Sequence, residues 1–120
     1  MALGSQVLTG LVAALHVYFL VLEMFLWATP VGQKAFGRSA ADQESTKALA
    51  ANQGLYNGFL AAGLVWSLVG SDTTAIPVRV FFLGCVAIAG IYGGLTASRK
   101  ILFVQAVPGA LALALTLASR

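Results

Sequence analysis

Charge is scarce in this sequence. Asp, Glu, Lys and Arg make up 9% of its 120 residues, where a soluble domain carries roughly 25%. So few charges do not solvate a globular surface, which excludes the ordinary water-soluble class. Cysteine occurs once, as Cys85 within an apolar run, so an internal disulfide and a thiolate zinc cluster are both excluded. Histidine also occurs once, at His16, and zinc wants three or four ligands, so no metal site is expected. The formal charge of +3 comes without a basic patch interleaved with aromatics, which argues against nucleic acid. Catalytic signatures are missing as well: no G-x-S-x-G elbow, no paired cysteines, no phosphate loop and no dinucleotide fingerprint.

Apolar sequence fills the space. Hydrophobic residues make up 59% of the chain and the mean hydropathy is +0.89. Four long apolar runs stand out, at about 5–28, 47–69, 77–97 and 101–118. A membrane-spanning helix needs about 20 apolar residues, so each run reads as one span. The first has no basic leader and no A-x-A cleavage pattern, and is read as a helix of the mature protein, not a signal peptide. Pro30 is expected to stop the first helix, Pro77 to sit in the first turn of the third, and Ser98-Arg99-Lys100 to form a tight turn before the fourth. Ser39-Ala40-Ala41-Asp42 has the spacing of a capping box, which starts the second helix near residue 40 and carries it to 69. The expected fold is therefore all-α: a single integral-membrane domain over 1–120, an antiparallel up-and-down bundle of four transmembrane helices at about 5–28, 40–69, 77–97 and 101–118.

Positive charge orients it. Lys34, Arg38, Lys47, Arg99 and Lys100 fall on the 30–47 and 98–100 connections, whereas the opposite side has only Arg79 and Arg120. By the positive-inside rule those connections are cytoplasmic and both termini lie outside.

The polar residues are not scattered. Unrolled at about 100° per residue, the first helix places Ser5, Gln6, Thr9, His16, Glu23 and Trp27 on one stripe. On the second helix, with Asn52 at zero, Tyr56 falls near 40°, Gln53 near 100° and Asn57 near 140°, with Gly54 and Gly58 at about 200–240°. Counted from the cytoplasmic edge, Glu23, Asn52, Tyr92 and Gln105 all lie roughly 6–8 Å deep. Gln53, Tyr56 and Asn57 continue toward the midplane, which His16 reaches. The expected ligand-binding set is thus Glu23, His16, Asn52, Gln53, Tyr56, Asn57, Tyr92 and Gln105. Pro108 removes a hydrogen bond from the fourth helix beside Gln105. The Gly54/Gly58 and Gly90/Gly94 pairs are small-residue ridges for close helix approach, and offer faces for a homo-oligomer.

Two strings carry a family resemblance: HVYFLVLEMFLW, residues 16–27, and ANQGLYNGFL, residues 51–60. With them the chain resembles the bacterial membrane-protein family catalogued as domain of unknown function 1304. The resemblance extends over nearly the whole chain. It implies a small four-helix protein of the bacterial inner membrane and brings no activity, because none is assigned to that family.

Function therefore rests on the residues. The leading expectation is binding and translocation of a small molecule or ion, with Glu23 as the protonatable site, because an acid inside a span is functional by default. The alternative is a membrane-embedded isomerase or hydrolase acting on a lipophilic substrate, with Glu23 and His16 as catalytic candidates. A third is a structural subunit whose polar groups only fix helix packing. No cofactor is expected. Haem remains an option through His16, since one axial histidine suffices.

Overall fold

A computed structural model describes residues 2–120 and, within them, every side chain except those of Ala2 and Asp72. It is all-helical, with no strand among the described residues. The elements are α1 (Ala2–Met24), α2 (Pro30–Phe36), α3 (Ala40–Val69), α4 (Asp72–Thr96), a π-helical segment (Leu102–Ala106) and α5 (Val107–Ser119).

Three helical stretches are long and apolar enough to cross a membrane: Leu3–Met24, Thr73–Thr96 and Leu102–Ser119. The expected fourth, α3, is long enough at 30 residues. Its composition holds it back. Asp42, Glu44 and Lys47 occupy its first turns, and Asn52, Gln53 and Asn57 dilute the apolar stretch that follows.

Helix limits follow from local chemistry, and three differ from the sequence expectation. α1 ends at Met24, not near 28, because Leu26 donates five residues back to the Val21 carbonyl that Phe25 already uses, which breaks the α-helical repeat. Pro30 does not merely stop a helix; it begins α2 at a first-turn position where no N–H is required. Thr29 caps that helix, its hydroxyl accepting from Gly32 N at 3.5 Å. Gly37, at φ 62° in the left-handed region, ends it. α4 begins at Asp72, so Pro77 lies inside it and not in its first turn. α3 begins at Ala40 as the capping spacing predicts, with Asp42 N donating to Ser39 Oγ at 3.2 Å. Ahead of Pro108, the chain widens into a π turn, closed by Val107 N donating to the Leu102 carbonyl. Pro108 has no N–H of its own to return to that turn, which places the irregularity where the sequence puts it.

The chain divides into two compact units. One takes in the chain up to Ala14 together with Leu60–Arg120; the other is Leu15–Phe59. α1 and α3 contribute to both.

The first unit has the larger apolar core. Val12 and Ala13 of α1, Leu64 of α3, Leu83 and Val86 of α4, and Ala112 of α5 are buried together, with Leu8, Leu60, Phe82 and Leu113 packed against them. Gly90 is buried against the backbone of Ala106, and any Cβ there would overlap it. Gly94 meets Leu102 in the same way. Gly90 and Gly94, positions expected to face a second copy, are taken up by packing inside the chain.

The second unit is organised around Trp27. The sequence reading put Trp27 on the polar stripe of the first helix, but it lies in the turn beyond α1. Its indole Nε1 donates to Thr46 Oγ1 at 3.1 Å, and its carbonyl accepts from Gln43 Nε2 at 2.7 Å. The ring packs on Phe36, with centroids 4.5 Å apart, and the Arg38 guanidinium lies 5.9 Å above it. An amphipathic indole with its N–H bonded and its face under a cation suits a membrane boundary.

Candidate functional site: a carboxylate–carboxamide pair and a buried arginine

Within the second unit, α1 and α3 touch along a glycine ridge. A Cβ at position 54 would come within 3.1 Å of Glu23 Cβ and 3.2 Å of the Leu20 carbonyl oxygen, and one at 58 would overlap Leu20. Small residues let the two backbones approach. Gly54 and Gly58, the other positions expected to face a second copy, thus serve packing within the chain. That approach brings Asn57, three residues beyond Gly54, to Glu23. Asn57 Nδ2 donates to Glu23 Oε1 at 2.5 Å. Asn57 is 8% exposed and Glu23 is half-buried. A hydrogen bond to a carboxylate is charge-assisted and short. That bond takes one lone pair of Oε1, and a carboxylate has about four such acceptor positions in all.

His16 is fully buried on the same helix, edge-on to Phe19 at 5.4 Å between centroids. Seven residues separate it from Glu23, about 10 Å along the axis. Asn52 and Gln53 are exposed, and so is Tyr56 at 55%, its ring tilted against Phe59. Tyr92 and Gln105 belong to the first unit. Tyr92 is 71% exposed and Gln105 is half-buried. Of the eight candidates, then, Glu23 and Asn57 meet, His16 is enclosed, and Asn52, Gln53, Tyr56 and Tyr92 point away from the interior of the single chain. An open cleft of about 400 Å³ lies at the turn after α4, lined by Gly94–Arg99 and Leu102, and holds none of the eight. Among the described residues, no three His, Cys, Asp or Glu side chains are grouped to hold a metal ion.

A second polar cluster was not foreseen. Arg79 of α4 is only 3% exposed. Its Nε donates to Ser67 Oγ at 3.3 Å, its Nη2 to the Ser67 carbonyl at 2.9 Å, and its Nη1 to Ser5 Oγ at 3.1 Å. Ser5 and Thr116 hydroxyls are 2.6 Å apart, and Thr116 donates to the Ala112 carbonyl at 2.8 Å. Because the Thr116 proton is spent on that carbonyl, Ser5 is the donor to Thr116 and the acceptor from Arg79. The cluster links α1, α3, α4 and α5 with a single direction of donation. Of its hydroxyls, Ser5 lies on the polar stripe that the sequence gives to the first helix. A helix that starts at Pro77 makes Arg79 a flanking charge, which is the sequence expectation. With α4 starting at Asp72, Arg79 lies about 10 Å into the helix.

A family model described as "Protein of unknown function (DUF1304)" matches residues 10–117. The chain belongs to this family. The DUF1304 match takes in the Glu23–Asn57 pair, His16, Ser67, Arg79 and Thr116, and leaves Ser5 and Thr9 just outside it. Among curated proteins, an uncharacterised protein, YpaA, of Lactococcus lactis subsp. lactis (strain IL1403) is 30% identical over 107 residues, covering 88% of this chain and 89% of that one. No solved structure matches.

Proposed function

We propose that the protein crosses the bacterial inner membrane four times as an up-and-down bundle, both termini outside, and binds a small molecule or ion for translocation at Glu23. The observation that supports this reading is the Glu23–Asn57 hydrogen bond at 2.5 Å, with Glu23 in a stretch apolar enough to span a membrane. An acid in such a stretch is costly to retain for packing alone. Here it accepts from a buried carboxamide and keeps acceptor positions for a ligand. The alternation of Glu23 between carboxylate and carboxylic acid is the step that couples ligand to proton: the charged form attracts a cation, and the neutral form releases it.

α3 serves as the remaining span, its carboxamides satisfied by protein. A second copy of the chain supplies those partners, because Asn52, Gln53 and Tyr56 are exposed on α3 and each amide is both donor and acceptor. The structural-subunit reading has one specific observation in its favour, the Arg79 cluster, whose hydroxyls bond one another and the backbone as packing groups would.

Proteoliposomes enclosing a pH-sensitive dye distinguish the two. Monovalent and small organic cations added outside exchange for protons in the wild type. Glu23→Gln keeps the fold and stops the exchange. If Glu23→Gln exchanges protons at the wild-type rate, translocation through Glu23 is wrong.

A further inference from the structure

The open cleft of about 400 Å³ lies at the turn between two apolar stretches. Thr73–Thr96 and Leu102–Ser119 are each long and apolar enough to cross a membrane. Residues 97–101 alone join them, so in a bilayer this turn falls at the level of the lipid phosphates. The cleft belongs wholly to the first unit. Thr96, Ser98 and Arg99 line it, and so does Leu95, which is 76% exposed. Lys100, also exposed, is the next residue. No acid lines the cleft.

Among the described residues, the Arg99 guanidinium makes no hydrogen bond and no ion pair. Asp72 opens α4, a helix of 25 residues, which puts about 36 Å between it and Thr96, so its carboxylate is out of reach. The backbone of the turn leaves a further donor. Ala97 N and Ser98 N both donate to the Gly93 carbonyl, Ile101 N to the Ser98 carbonyl and Leu102 N to the Arg99 carbonyl. Lys100 N donates to Ser98 Oγ at 3.3 Å. Arg99 N donates to nothing among the described residues. The Ser98 hydroxyl accepts from Lys100 and keeps its own proton uncommitted, whereas the Thr96 hydroxyl donates to the Tyr92 carbonyl at 2.7 Å. Ser98 and Arg99 therefore hold a hydroxyl proton, a backbone N–H and a guanidinium fork unused.

We propose that this cleft binds the phosphodiester of an anionic phospholipid headgroup. The proposal rests on the reading that the two stretches cross a membrane, and not on Glu23. A phosphodiester has one negative charge shared by two unesterified oxygens, and the guanidinium fork matches that pair. The Ser98 hydroxyl is a further donor, and the Lys100 ammonium adds positive charge alongside. Inorganic phosphate offers the same oxygens. The lipid is favoured by the position of the turn at the membrane boundary and by the exposed Leu95, an apolar neighbour for the acyl end of the headgroup. A headgroup with an ammonium of its own offsets its phosphate charge and binds more weakly.

Native mass spectrometry of the full chain in nonionic detergent tests this, with phosphatidylglycerol and phosphatidylcholine of the same acyl chains as probes. The wild type binds its first phosphatidylglycerol more tightly than phosphatidylcholine. Arg99→Gln lowers phosphatidylglycerol affinity by about fivefold or more, the scale of one cation at an anionic headgroup, and changes phosphatidylcholine binding little. Ser98→Ala lowers it less. Both side chains are exposed, so the fold is expected to stand in both variants. Arg120→Gln removes the same charge at the chain end and leaves the preference intact. Millimolar inorganic phosphate does not displace the lipid. A wild type without preference overturns the proposal. So does an equal loss in Arg99→Gln and Arg120→Gln, the mark of diffuse charge alone, and so does displacement by inorganic phosphate, the mark of a free-phosphate site. Alkaline carbonate washing of proteoliposomes reads the membrane crossing separately. A chain that stays in the bilayer yet shows no preference overturns the lipid site alone; a chain that is stripped off overturns the crossing and the site with it.

Discussion

Asn57 Nδ2 of α3 donates to Glu23 Oε1 of α1 across 2.5 Å, at the level where Gly54 lets the two helices touch. Asn57→Leu removes the donor and leaves the half-buried carboxylate without its partner. The expected loss is about 1–3 kcal/mol, read as a lower thermal midpoint in detergent. Glu23→Gln keeps an acceptor oxygen for the same donor, so it loses less. The double variant is expected to lose less than the sum of the two single losses, because the second change removes a bond already broken.

Gly54→Leu tests the ridge itself. A Cβ at this position would already overlap Met24 Cγ at 2.6 Å and lie closer than van der Waals contact to Glu23 Cβ and the Leu20 carbonyl. A larger side chain must push the helices apart, at about 1–3 kcal/mol, and must lengthen the Glu23–Asn57 bond with them. Gly84→Leu is the control, since nothing lies within 4 Å of a Cβ at Gly84. The thermal midpoint is expected to fall for Gly54→Leu and to hold for Gly84→Leu.

Ser5→Ala takes out the link between Arg79 and Thr116. Arg79 Nη1 loses its acceptor and Thr116 loses its incoming donor. The expected cost is about 1.5–3 kcal/mol, the range for hydrogen bonds to charged groups. Ser119→Ala, whose hydroxyl bonds only to carbonyls of its own helix, is expected to cost little. Thermal unfolding of the two variants side by side checks the difference.

Trp27→Phe keeps an aromatic ring against Phe36 and deletes the Nε1–H bond to Thr46. About 1 kcal/mol is the expected loss. The consequence is local: limited proteolysis is expected to cut the 30–39 segment faster in the variant, at Lys34 and Arg38, while α4 and α5 remain protected.

Much of this was legible in the sequence, for physical reasons that can be named. Ser39 marks the start of α3 because its hydroxyl matches the spacing to Asp42 N. Pro108 marks the irregular turn because it lacks an N–H. Glu23 stood out as an acid inside an apolar run. Its partner was harder to choose. The helical wheel of α3 put Asn52, Tyr56 and Gln53 at the centre of the polar stripe, with Asn57 at its edge toward the glycines. The structure packs the glycine side, because backbone approach at Gly54 and Gly58 buries more contact than a row of amides does. Asn57 is therefore enclosed, and Asn52, Gln53 and Tyr56 are exposed. Arg79 was missed because a proline usually starts a helix; α4 instead carries Pro77 five residues in, and a residue read as a flank became an interior cation.

The most direct measurement is pH-difference infrared spectroscopy of the full chain in lipid, wild type against Glu23→Gln. The account predicts a protonated-carboxyl C=O band in the wild type that is missing from Glu23→Gln, and that shifts in Asn57→Ala because a hydrogen bond to that oxygen is gone. If wild type and Glu23→Gln give the same carboxyl bands across the titration, Glu23 does not exchange protons in the membrane, and the central claim is contradicted.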